Sequence, residues 1–110
     1  MAPLWLTIRK AKRLVREAAL QRCPDARLFF RSGATDVSPR HVVFLIATKT
    51  DAQAQMLRED TSFLPALRDA LTGAGYPPEA IPHIHFPVDS QERVDREHNG
   101  NWSEAIELPH

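Results

Sequence analysis

HVVFLIATKT, residues 41–50, is the stretch on which the fold turns. Its apolar run over 42–47 has no polar alternation and contains Val42, Val43 and Ile46, which are β-branched. The run is too short for an ordinary helix and is closed by Lys49, Thr50 and Asp51, so it reads as a strand covered on both faces. A strand of that kind belongs at the centre of a sheet, and its neighbours must supply both pairing and cover.

Upstream, ARLFFRS (26–32) alternates, with Leu28 and Phe30 to one side and Arg27, Phe29 and Arg31 to the other. This predicts a strand antiparallel to the central one across the loop GATDVSP (33–39). Before it, Leu4, Ile8, Ala11, Val15, Ala18 and Ala19 recur at helical spacing, with Trp5 and Leu14 widening the apolar stripe. Arg9, Lys10, Lys12, Arg13 and Arg16 fill the rest, which predicts an amphipathic helix over 3–21 that Pro24 stops.

Downstream, TKTDAQAQMLRED predicts a short helix capped by Thr50, with Ala52, Met56 and Leu57 inward. SFLPALRDALTGAG predicts a second helix, with Phe63, Leu64, Leu67 and Leu71 buried and Gly73 or Gly75 at its end. IPHIHFPV (81–88) reads as a third strand: Ile84, Phe86 and Val88 point in, while His83, His85 and Pro87 point out. Pro82 and Pro87 cannot donate to a ladder, so this strand lies at an edge. Asp89 followed by Glu92 suggests a capping box for a last helix that Asn99 and Gly100 end, with Trp102 packing back onto the body.

The order α-β-β-α-α-β-α implies one α/β domain over 1–110. A small mixed three-stranded sheet is packed by helices, with strands two and three joined by a helical crossover and hence parallel. The alternative is an α+β two-layer sandwich.

The 110 residues carry 14 Lys or Arg and 14 Asp or Glu, and the zero net charge hides a polarity along the chain. Residues 1–22 hold six cations and one acid, whereas residues 89–107 hold six acids and two arginines. One cysteine, Cys23, excludes an internal disulfide and suits a reducing compartment. No stretch has the length to cross a bilayer, and four cations break up the N-terminal apolar run, so a cytoplasmic location without membrane association is expected.

His83 and His85, two apart on a strand, would place their Cβ atoms about 6.6 Å apart on one face, close enough to share a metal. A third ligand is wanting: Pro87 takes the next same-face place, which also leaves a histidine-triad pattern incomplete, and His98 is remote. His41 is the remaining candidate, at the amino ends of the strands, whereas open α/β sheets gather ligands at the carboxyl ends. No cofactor or metal is therefore expected.

At the carboxyl ends, Lys49 and Thr50 would meet Ser90 and Gln91 where two helices begin. This is a place receptive to an anion, though without a glycine-rich loop. No Gly-x-Ser-x-Gly elbow occurs, and Asp95 and Glu97 sit on a nearly all-polar helix. The chain thus reads first as a non-catalytic binding protein of the inhibitor, immunity or regulatory kind. In that reading the acidic segment docks a basic protein partner through Asp89, Glu92, Asp95, Arg96, Glu97 and Trp102. The alternatives are a small enzyme or phosphate-ligand domain using the carboxyl edge, and RNA binding by the basic first helix with Phe29 between Arg27 and Arg31 as a stacking group. An uncovered sheet face bearing Phe29 would also admit a homodimer.

Overall fold

The central strand is where the sequence places it. In the computed structural model, which describes residues 3–32 and 42–102, β2 (Val42–Thr48) is buried at every position except the half-buried Val43. It pairs antiparallel with β1 (Arg27–Ser32), Phe29 opposite Leu45, and parallel with β3 (Val88–Ser90), Ala47 opposite Asp89. The sheet order is β1-β2-β3. Around it lie α1 (Leu4–Arg22), α2 (Asp51–Glu59), α3 (Phe63–Gly73), a 3₁₀ turn (Ile81–His83) and α4 (Gln91–His98). This is a mixed α/β architecture, and among the described residues no helix is long and apolar enough to cross a membrane.

Strand alternation sorts β2 into two faces. Val42, Phe44 and Ile46 join the main core with Ile8, Ala11, Val15 and Ala19 of α1, Leu57 of α2, and Phe63, Leu67 and Leu71 of α3. Phe44 stacks on Phe86 with ring centroids 5.7 Å apart and meets Phe30 at a tilt, 5.3 Å between centroids. Full burial of each such side chain contributes about 1.5–3 kcal/mol before chain entropy is counted. Arg22 clamps the end of α1 to the start of α3, pairing with Asp60 at 3.4 Å and donating to the Ser62 hydroxyl at 3.3 Å. Since Leu14 also lies 3.8 Å from where a Gly73 side chain would begin, α1 and α3 run antiparallel.

The other face carries Arg27, Phe29, Leu45, Ala47 and Asp89, and α4 with Trp102 covers its carboxyl half. Arg27 donates to Gln91 at 2.8 Å, Arg93 pairs with Asp89, and the Trp102 ring sits 5.3 Å from that of Phe29. Val94, the one apolar residue in α4, is fully buried. At the amino half, the row Arg31–Val43–His85 leaves Arg31 and His85 exposed.

Several expectations change. The region read as a third strand over 81–88 is a 3₁₀ turn with Pro82 in its first positions, then a single bridge from His85 to Val43, with regular pairing only from Val88. The prolines give the reason, since neither Pro82 nor Pro87 has an N–H for a ladder. Ser90, not Asp89, caps α4, accepting from Arg93 N at 3.1 Å, while Asp89 lies within β3. Met56 and Leu64, expected inside, are 50% and 41% exposed, and Ala52 is exposed as well. The inward positions of α2 are instead Ala54 and Leu57. Trp5 does not widen the buried stripe of α1; it is 65% exposed.

Candidate functional site

The expected meeting of two helix starts at the carboxyl edge of β2 and β3 occurs, with a particular arrangement. Thr50 caps α2 in a full capping box: its hydroxyl accepts from Gln53 N at 3.2 Å, and the Gln53 side chain accepts from Thr50 N at 3.2 Å. Ser90 caps α4, and its hydroxyl proton goes to the Asp51 carboxylate, on the first residue of α2. In return Glu92, in the first turn of α4, accepts from Asp51 N at 2.7 Å. Each helix therefore supplies the anion that the other helix's amino end attracts. The Ser90 hydroxyl, followed by the Arg96 guanidinium at 3.0 Å, holds the Asp51 carboxyl below its ordinary value.

This reciprocal capping bears on the anion-binding reading. Thr50 and Ser90 are committed to caps, and the Asp51 N–H faces Glu92 instead of a free opening. Lys49 and Gln91 line a shallow cavity of about 200 Å³ together with Asp25, Arg27 and Thr48. Its polar groups are already joined to one another: Arg27 to Gln91, Asp25 to the Gln53 amide, and the Thr48 hydroxyl to Thr50 O at 2.9 Å. Among the residues lining the cavity, only the Lys49 ammonium makes no such contact among the described residues.

The acidic segment is internally compensated in the same way. Asp89 pairs with Arg93. Glu97 pairs with Arg93 at 3.4 Å and Arg96 at 3.9 Å, and Asp95 accepts from the Gln91 amide at 2.8 Å. Burial pushes the Asp89 carboxyl upward, and the Arg93 guanidinium with the Ser90 backbone N–H outweighs it, leaving the group below its ordinary value. Trp102 donates through Nε1 to Gln91 at 2.7 Å and covers Phe29, so the indole is part of the fold's own surface closure. Phe29 is correspondingly withdrawn from stacking, with Arg27 also 5.5 Å from its ring. Residues 103–107 of the acidic segment lie outside the described residues, as does His41. His83 and His85 are both exposed, on a 3₁₀ turn and a bridge respectively, and among the described residues no three His, Cys, Asp or Glu groups gather as a metal site.

No family model, curated protein or solved structure matches the chain.

The outer side of α1, read from the sequence as a secondary alternative for RNA, gains one residue that was expected on the core side, Trp5. The buried stripe of α1 is Ile8, Ala11, Val15 and Ala19, so the next place towards the N-terminus on that stripe belongs to Leu4, which packs against the core, and not to Trp5. At helical spacing Trp5 aligns instead with Arg9, Lys12 and Arg16, all exposed. Arg9, Lys10, Arg13 and Arg16 make no ion pair among the described residues, and Lys12 rests 5.2 Å over the Phe30 ring. The spacing already contained this signal: at about 100° per residue Trp5 lies about 20° around the helix from Lys12 and Arg16 and about 100° from Leu4.

Proposed function

We propose that this protein is a non-catalytic binding domain whose contact surface is the exposed side of α1, and that its partner there is a polyanion. The observation that carries the proposal is a contrast between the two charged ends. The carboxylates of 89–97 are engaged by Arg93, Arg96, Gln91 and backbone N–H groups, whereas Arg9, Lys10, Arg13 and Arg16 of α1 stand exposed and without an ion pair among the described residues, on the same helix as an exposed indole. A basic partner docking on α4 would have to displace bonds that already exist. A polyanion on α1 displaces only water and counterions, a gain that is steep in salt. The first turn of α1 supports the same reading: it has no acidic residue to repel negative charge.

The test is a binding titration of the full chain with heparin as a generic polyanion, repeated with poly-lysine as a polycation. Retention of heparin that is lost in an Arg9→Gln, Arg13→Gln, Arg16→Gln variant, with Glu92→Gln, Asp95→Asn, Glu97→Gln binding as well as the parent, is the expected result. Poly-lysine binding that depends on the three carboxylates, with no heparin binding, would sink the proposal and restore the acidic face.

A further inference from the structure

Resting on the α1 reading above, the geometry points to a single-stranded nucleic acid as the polyanion, with Trp5 as the base-stacking platform and Arg9, Lys12 and Arg16 as its phosphate contacts. The four side chains lie at positions i, i+4, i+7 and i+11 of one helix, forming a line about 16 Å long. Arg13 and Lys10 flank that line on the solvent side. A flat aromatic face at one end of a row of cations matches what single strands require: the backbone is tracked by charge, and an unstacked base offers its π-face to an indole. Two of the three cations in the row are guanidinium groups, which present planar, forked donors to phosphate oxygens. A duplex keeps its bases stacked and has no face to give Trp5.

Two other polyanions compete on the same charges. A membrane surface takes up a helix through a continuous apolar face, and the apolar face of α1 is buried in this domain's own core. What remains for insertion is Trp5 and the 42% exposed Leu6, side by side in sequence and so about 100° apart around the helix. An acidic protein would satisfy the cations and leave the stacking geometry of Trp5 without purpose. The charge is thus shared by all three partners, and the exposed indole in line with the cations favours the nucleic acid.

The experiment uses the full chain carrying Trp102→Phe, in which Trp5 is the one remaining tryptophan and its fluorescence reports on α1 alone. It is titrated with a 20-nucleotide unstructured RNA, with heparin, with vesicles of phosphatidylcholine and phosphatidylserine, and with poly-glutamate. The expected result is quenching of Trp5 by RNA, with affinity falling about 15- to 60-fold between 50 and 200 mM salt for three to four phosphates neutralised. Trp5→Ala, read with end-labelled RNA, should weaken binding about tenfold without changing the salt slope, and Trp5→Phe should recover part of it. Arg9→Gln with Arg16→Gln should make the slope shallower. Heparin binding as tight as RNA, with Trp5 unquenched by either, overturns the nucleic-acid inference and leaves the polyanion proposal standing. A blue shift on vesicles exceeding any response to RNA, or preference for poly-glutamate, overturns it in favour of a membrane or an acidic protein. If none of the four binds, the inference and the proposal beneath it both fail.

Discussion

Replacing Ser90 with alanine probes the junction of α2 and α4 directly. Ser90 is 1% exposed, its oxygen accepts from Arg93 N at 3.1 Å, and its proton goes to Asp51. Loss of a serine cap costs about 1 kcal/mol, with a range of about 0.5–2. Burial leaves the freed Arg93 N–H little access to water, which places the cost in the upper half of that range. The exposed Asp51 carboxylate, once freed, is solvated by water. A total of about 1–2 kcal/mol corresponds to a fall in Tm of about 5–10 °C for a chain of this size. The assay is urea and thermal unfolding followed by far-ultraviolet circular dichroism. Ser90→Asp adds a discriminating arm. It retains a capping oxygen yet sets a second carboxylate against Asp51, so it should gain stability when combined with Asp51→Asn. A Ser90→Ala change below about 0.5 kcal/mol, less than the lower limit for a serine cap, or no coupling between Ser90→Asp and Asp51→Asn, would refute the reasoning.

Two pH predictions follow from other groups. Tyr76 is the only tyrosine, and burial pushes its phenol up to about 12, so its absorbance titration in the native protein should lie well above the ordinary 10.0 and return there in urea. The neutral phenol is the form the fold favours, so its contribution to stability is complete below pH 10 and is lost as pH rises towards 12. On the acid side, Asp60 is held low by the Ser62 hydroxyl and backbone N–H, and Asp51 and Asp89 are low as well. Their contribution is present above the unfolded value of 3.8 and is lost as pH falls through the lower folded values; Asp60→Asn should therefore flatten the decline of the urea midpoint below pH 4. An acid limb identical in the variant would count against that account.

The sheet was legible because β2 declares itself: six consecutive apolar residues over 42–47, too few for an ordinary helix, admit one reading. The amphipathic α1, the Thr50 cap and the Asn99–Gly100 stop follow from equally local rules, and Asn99 does adopt the left-handed conformation, at φ 50°. What local rules did not settle was phase. A one-place error on α1 carried Trp5 from the solvent side to the core side. On α3, Leu64 fits a generous apolar arc yet lies beyond the width that α1 covers. The third strand was misplaced because apolar alternation over 81–88 resembled a ladder, while Pro82 and Pro87 withheld the donors that one requires. The exchange between Asp51, Ser90 and Glu92 was not legible at all, since it joins residues 39 to 41 positions apart whose meeting depends on the parallel pairing.

α4 has eight residues and a single buried apolar side chain, far short of the length at which a helix persists alone in water. It exists because the first turn of α2 completes it, and the first turn of α2 is completed in return. Amide hydrogens in the two turns should consequently exchange as one cooperative unit. Anything that lifts residues 91–98 from the sheet also frays the helix that begins forty residues earlier and uncovers Phe29.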